Sequence, residues 1–135
     1  MRVAVVYVSA KKGEFELAGK LAEALKAHGR PAEVLDPDLE LGRLPAFEYL
    51  AFGVEPEGFF GSLPERLPKL LSSAPDLSGK RCFAFVRRKG FASERALGKL
   101  MRLLESEGAR VNYAETIKNQ EDVERVARTA PVERN

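Results

Sequence analysis

The sequence is poor in the residues that build staples, metal centres and hydrolytic machinery. It holds one cysteine, Cys82, and one histidine, His28, in 135 residues. No intrachain disulfide is possible, and a zinc centre of the usual Cys/His kind lacks ligands, so no metal site is expected. No Ser-His-Asp set and no Walker loop are present, and no catalytic residue stands out. Long apolar runs are missing: nothing approaches the ~18–20 residues of a membrane span. The apolar run at Val3–Val6 is too short for a signal-peptide core and has no small-residue cleavage site after it. A cytoplasmic protein without a membrane partner is therefore expected. An excess of one charge is also missing, with 22 Lys and Arg against 20 Asp and Glu. A net charge of +2 leaves no footprint for nucleic acid. Thermolabile residues are scarce, at three Asn, one Gln and two Met, and the eight prolines fall mostly in loops. Both features suit a thermophile.

What is present fits one domain with one core. The apolar fraction of 44% reads as folded and not disordered. A chain of this size buries roughly two-thirds of its unfolded surface and needs no cross-link. The domain is expected to span residues 1–130, with 131–135 as a frayed tail. Val3–Val8 is a near-continuous β-branched run, the pattern of a parallel strand buried on both faces. Residues 14–28 read as a helix with Leu17, Ala18, Leu21, Ala22 and Leu25 inward, stopped by Gly29. Residues 32–35 form a short second strand, and 36–46 make an irregular crossover. A third strand is expected at 47–52, ending at Gly53. Residues 62–73 read as a helix with a Ser62/Glu65 capping box and a kink at Pro68. A fourth strand follows at 81–86, then a helix capped by Ser93 and ended by Gly108. A fifth strand spans 110–114, and Asn119 caps a last helix with Val123, Val126 and Ala127 inward. Five strands alternating with helices predict a parallel sheet covered on both faces.

Three segments carry a resemblance. A strand ending at Ser9 turns through Gly13 into a helix. Tyr49-Leu-Ala-Phe-Gly53 is followed by Gly58-Phe-Phe-Gly-Ser-Leu-Pro-Glu65. Leu77-Ser-Gly-Lys80 runs into the fourth strand. Together they resemble the flavodoxin-like family, which includes flavodoxins and flavodoxin-like quinone reductases. That resemblance implies a three-layer α/β fold, a doubly wound five-stranded parallel sheet of order 2-1-3-4-5, with FMN at the switch point between strands one and three. Residues 9–15, 54–61 and 87–93 should then converge at one edge of the sheet.

In the resembled family the first of these loops holds the flavin phosphate with hydroxyls around a glycine and with backbone N–H groups. Here Ser9 and Gly13 match that pattern. Lys11 and Lys12 stand before the glycine, Glu14 follows it, and Phe15 occupies the place of a closing Thr. Glu14 suits a bare helix N-terminus, and the two lysines would add charge toward a phosphate. Phe59, Phe60 and Phe91 are the candidates for stacking on a flavin ring. Alternatively, one or two of them anchor their loops on the core. Arg87, Arg88 and Lys89 would join Lys11 and Lys12 as five cations at the edge, toward an anionic ligand or an acidic partner. A solvated charged loop is the plainer alternative.

Other signals are weaker. Cys82 and Arg88 have the C-x5-R spacing of small tyrosine phosphatases. Cys82, however, falls at the start of a buried strand and not in a phosphate loop, so an inert core thiol is expected. The acidic cluster of response regulators is missing. His28, in the last turn of a helix, is expected to act as a surface cap. Two functions stay open: an FMN-binding electron-transfer protein, or a non-enzymatic domain of the same fold that has lost FMN. The latter would bind another anion or a protein partner at that edge. An exposed Phe59–Phe60 pair could also join two subunits in a homodimer.

Overall fold

The computed structural model describes residues 1–133. It has five strands and four α-helices: β1 (Val3–Val8), α1 (Glu16–Ala27), β2 (Ala32–Val34), β3 (Tyr49–Val54), α2 (Leu67–Ser72), β4 (Arg81–Arg87), α3 (Ser93–Ser106), β5 (Arg110–Ile117) and α4 (Gln120–Thr129). All pairings between these strands are parallel, and the order is β2-β1-β3-β4-β5. The expected doubly wound sheet is therefore present.

Alternation along the central strands sorts the core into two layers. Ala4, Val6 and Val8 of β1, with Leu50, Phe52 and Val54 of β3 and Cys82, Ala84 and Val86 of β4, pack under α2 and α3. Val3, Val5, Tyr7, Tyr49, Ala51, Phe83 and Phe85 pack under α1 and α4. Both faces of β1 and β3 are buried throughout, which is why these strands read as unbroken apolar runs. Cys82 is a buried free thiol, and burial together with the charge of Glu105 pushes its pKa up to about 12. At neutral pH it is a small apolar filler with no reactive thiolate.

The strand ends are level. Val8 pairs with Val54, and Val54 with Val86, so the loops after β1, β3 and β4 leave the sheet side by side. Gly53 is the tightest point beneath them. It lies inside β3 and does not terminate it. A Cβ at this position would overlap the ring of Phe85, which in turn stacks on Tyr7 with centroids 6.1 Å apart and 8° between planes.

Several expected boundaries move, each for a local reason. Strand β3 starts at Tyr49 because Phe47 ends a 3-10 turn over Leu41–Ala46, and its ring is covered by Arg2 at 4.5 Å. The second helix is only six residues long. Pro68 stands in its first turn, where a missing N–H costs nothing, so it begins the helix and does not kink it. The Ser62/Glu65 capping box does not form, because Ser62 is bridged to Glu57 instead. Ser93 is likewise not an N-cap. It is the first residue of α3, preceded by a 3-10 turn at Gly90–Ala92, and its hydroxyl accepts from the Lys89 N–H at 2.8 Å. Strand β5 runs on to Ile117 past a register shift that leaves Asn112 opposite no residue of β4, and Tyr49 donates its phenol proton to Asn112 at 2.6 Å. Asn119 does cap α4, accepting from the Asp122 N–H at 3.0 Å. His28 ends α1, with its Nε2 3.9 Å from Glu124.

Within the segment expected as a frayed tail, 131–135, two described residues make contacts with the fold. Val132 is fully buried, its carbonyl accepts from Arg81 at 2.9 Å, and Glu133 pairs with Arg30. Residues 134–135 lie outside the described residues. A further contact has no signature in the sequence. Lys80 buries its ammonium and donates to the carbonyls of Leu44 and Phe47 and to the Asp76 carboxylate, at 3.0, 2.6 and 2.7 Å. Three acceptors satisfy all three of its donors, which is what makes the burial tolerable.

Gly53→Ala is expected to destabilise the fold by about 1–3 kcal/mol, the cost of overpacking a dense core. Urea unfolding measures this. An unchanged midpoint would show that the Phe85 ring can move aside freely.

Candidate functional site

The site is built where β1, β3 and β4 end. Ser9 follows directly on β1 and is buried, and its hydroxyl donates to the Lys11 carbonyl at 2.8 Å. That proton closes the turn and is directed away from any ligand. Gly13 has φ +78°, the left-handed conformation that lets the chain swing into α1. Lys11, Lys12 and Gly13 are exposed, and Glu14 is half-buried. Phe15 is the residue before the helix, on the margin of exposure, and makes no side-chain cap. Among the described residues, no hydrogen-bond partner is found for the backbone N–H groups of residues 10–13 or of Glu16, Leu17 and Ala18 at the start of α1.

The second loop is a tight hairpin. Glu57 and Ser62 exchange two backbone hydrogen bonds of 2.8 Å, which leaves Gly58-Phe59-Phe60-Gly61 as the tip. Phe59 and Phe60 are 79% and 65% exposed and meet edge to face, with centroids 5.4 Å apart. Gly61, with φ +69°, lies so close to the third loop that a Cβ would come 2.6 Å from the Ala92 carbonyl oxygen. The hairpin is thus seated against the 3-10 turn that carries Phe91, which is 97% exposed. None of the three phenylalanines anchors its loop on the core. All three project into solvent around the strand ends.

The five expected cations do not form one cluster. Lys89 is paired: its ammonium lies 2.9 Å from Glu55, the residue after β3. The other Glu55 oxygen accepts from the Tyr7 phenol at 2.9 Å. Tyr7, Glu55 and Lys89 thereby tie together the ends of β1, β3 and β4. Burial pushes the Glu55 carboxyl up, but the hydrogen bonds from Lys89 and Tyr7 outweigh it and hold the group below the usual carboxylate range. Burial, and then the neighbouring carboxylate, pushes the Tyr7 phenol far up, so it stays a donor at any ordinary pH. Arg87 is turned to the α1 and α4 side, where it lines a cavity of about 70 Å³ with Lys20 and Lys118. Arg88 gives its backbone N–H to Ile117 at 2.9 Å and leaves its side chain exposed. Among the described residues, Lys11, Lys12 and Arg88 remain as exposed cations of the edge that no carboxylate pairs.

A second polar link lies on the other side of the first loop. The Arg66 guanidinium forks onto Asp38 at 2.8 and 3.1 Å and donates to the Ser9 carbonyl at 2.6 Å. An open groove of about 320 Å³ lies beside it, lined by Ala10, Lys12, Glu57, Pro64, Glu65 and Arg66. Neither Tyr7 and Glu55 nor Asp38 and Arg66 was singled out from the sequence. An acid directly after an apolar strand at the switch point was a usable signal for Glu55. No spacing signals a pair 28 residues apart such as Asp38 and Arg66.

A nucleotide flavin needs donors for its phosphate and a flat apolar setting for its ring. The first loop supplies backbone N–H groups and two lysines, and the other loops supply exposed phenyl rings. These are the groups that would hold FMN, its phosphate on backbone and cations and not on hydroxyls.

Glu55→Gln removes the ion pair with Lys89. Because the folded carboxyl is held low, the pair's contribution is complete above the unfolded value of about 4.3 and is lost as pH falls through the lower folded value. The stability advantage of wild type over Glu55→Gln, from urea unfolding, is expected to be constant near neutrality and to shrink below about pH 4. An advantage unchanged down to pH 3 would show that the pair does not hold the carboxyl low.

No family model matches the chain, and no curated protein is similar to it in sequence. Its structure, by contrast, is similar to solved flavodoxins. Oxidised flavodoxin 1 from Bacillus cereus superposes with a TM-score of 0.68 at 22% identity, covering 94% of this chain and 92% of that one. Two-electron reduced flavodoxin from Megasphaera elsdenii gives 0.71 at 20% identity, covering 94% and 99%. A flavodoxin from the domain Archaea gives 0.66 at 19% identity, covering 95% and 92%. At these identities the likeness is one of fold, and the fold of this chain is the flavodoxin fold.

Proposed function

We propose that this chain binds FMN where β1, β3 and β4 end and acts as an electron-transfer protein. The observation that carries this is the set of three exposed phenylalanines, Phe59, Phe60 and Phe91, standing on two touching loops beside a first loop with unpartnered N–H donors. Exposed rings of this size are unfavourable in water by roughly 25 cal/mol per Å² of apolar surface, so a flat apolar ligand has much to cover there. The phosphate would be held by the backbone of residues 10–14 and by Lys11 and Lys12. Arg88 would add positive potential at the ring end. When bound, the flavin would supply the redox chemistry, and the protein would supply position and electrostatics. Solved flavodoxins of this fold are described in oxidised and two-electron reduced forms, which accords with a carrier role.

A second proposal is favoured by two details of the first loop. The Ser9 hydroxyl is committed to the Lys11 carbonyl, and the half-buried Glu14 stands where a phosphate would approach α1. A chain with this loop could keep the fold without the flavin and use the aromatic edge for another anion or for a protein, including a second copy of itself.

Titration of the protein with FMN, followed by flavin fluorescence and by melting temperature, separates the two. A saturating change with FMN and a raised melting temperature are expected. Phe91→Ala and Phe60→Ala, at exposed positions that leave the fold intact, should each weaken binding about two- to tenfold, the range of a lost stacking contact of ~0.5–1.5 kcal/mol. A colourless protein whose melting is indifferent to millimolar FMN sinks the flavin and leaves the second proposal.

A further inference from the structure

We infer that Arg66 is the positioning residue of the anion loop, holding residues 9–12 so that their N–H groups are available to a phosphate. This rests on the proposal that the loop holds the phosphate of FMN. The guanidinium is partly buried, with its side chain 24% exposed, and its partner Asp38 is 14% exposed. Its Nε and one terminal nitrogen lie on the two Asp38 oxygens, so its charge is already matched by a carboxylate. What remains is the other terminal nitrogen, which donates to the Ser9 carbonyl at 2.6 Å.

That one bond has a directional consequence. In a trans peptide the C=O and N–H point in opposite directions. Fixing the Ser9 carbonyl toward Arg66 therefore turns the Ala10 N–H away from it. The Ser9 hydroxyl does the same one step on, holding the Lys11 carbonyl and so turning the Lys12 N–H the opposite way. Two peptide planes of the loop are thus held by their carbonyl sides, and their N–H groups are left without partners. A loop short of hydroxyls must take its donors from the backbone, and backbone donors work only when their direction is set beforehand. Asp38 is what makes the device rigid. It lies in the β2–β3 connection, with its own N–H donating to Asp36 at 2.8 Å, so the fork ties the loop to a second, independently held segment. A lysine at position 66 could keep the charge but could not span the carboxylate fork and the carbonyl in one plane.

Arg66→Lys is the test, read with two ligands on the intact chain. FMN carries the phosphate and riboflavin does not. If Arg66 positions the anion loop, the variant should lose tenfold or more in FMN affinity while riboflavin affinity changes less than twofold. A loss shared equally by both ligands, or by neither, overturns the assignment, because a general weakening of the fold would not distinguish the phosphate. If wild type binds neither flavin, the FMN proposal has failed, and the positioning role is judged by amide hydrogen exchange. Faster exchange confined to residues 10–14 in Arg66→Lys upholds it, and unchanged exchange there overturns it.

Discussion

The level ending of β1, β3 and β4 is the constraint on which the rest of the structure depends. Val8, Val54 and Val86 stand side by side in register, and all three are fully buried. A slip of one residue in any strand would turn its whole apolar set to the wrong layer, so the register is held by both cores at once. The consequence is that three loops begin at the same height and face one another across a few ångströms of strand spacing. Gly53 matters in this setting because it lets the Phe85 ring lie over β3, and Tyr7 then stacks on that ring. The position of the Tyr7 hydroxyl at the sheet edge is thus a packing result before it is a polar one.

Polar contacts take over where the apolar layers stop. Parallel strands end with carbonyls and side chains that no further ladder satisfies, and in this chain they are tied in two separate places. Tyr7, Glu55 and Lys89 link the three strand ends on the α1 side of the sheet. Arg66, Asp38 and the Ser9 carbonyl link the first loop to the two segments that flank it on the other side. Neither group is a fully buried charge. Each is a half-covered pair with good hydrogen-bond geometry, the kind whose main effect is to restrict geometry more than to add stability. Between the two ties lie the exposed lysines, the unpartnered N–H groups and the phenyl rings.

Most of the architecture was legible because it depends on patterns with a short period. The β-branched run at Val3–Val8, the stripe from Leu17 to Leu25 and the cap at Asn119 each state their own local structure. What could not be read was anything set by a partner far along the chain. Phe47 looks like a strand residue, yet Arg2 covers it and the turn before it ends there. Ser62 and Glu65 have capping spacing, but Glu57 claims Ser62 first. Among the candidate site residues, the loop positions of Ser9, Lys11, Lys12, Gly13, Phe59, Phe60 and Phe91 follow from strand order alone. The directions of Arg87 and Lys89 do not, since Lys89 is held by Glu55, 34 residues away along the chain, while Arg87 lines a cavity with residues of α1 and α4. Tyr7, Asp38 and Arg66 act only through contacts that span many residues, and no local pattern announces them, whereas Glu55 directly follows an apolar strand.

The two halves of the edge follow opposite rules, and they bear on the proposed ligand together more than either does alone. Around the first loop two oxygen-bearing side chains are already engaged: the Ser9 proton goes to Lys11, and the Asp38 oxygens go to Arg66. What is left over there is backbone N–H and ammonium, with the half-buried Glu14 carboxylate beside them. Around the second and third loops the backbone is closed by the Glu57–Ser62 bridge and by the fit of Gly61 on Ala92, and what is left over is phenyl surface. A purely anionic ligand would use the first half and leave the rings in water. A purely apolar one would cover the rings and leave the donors unsatisfied. The proposed FMN, with a flat apolar body and an anionic tail, would engage both, and the level strand ends set the two halves beside each other.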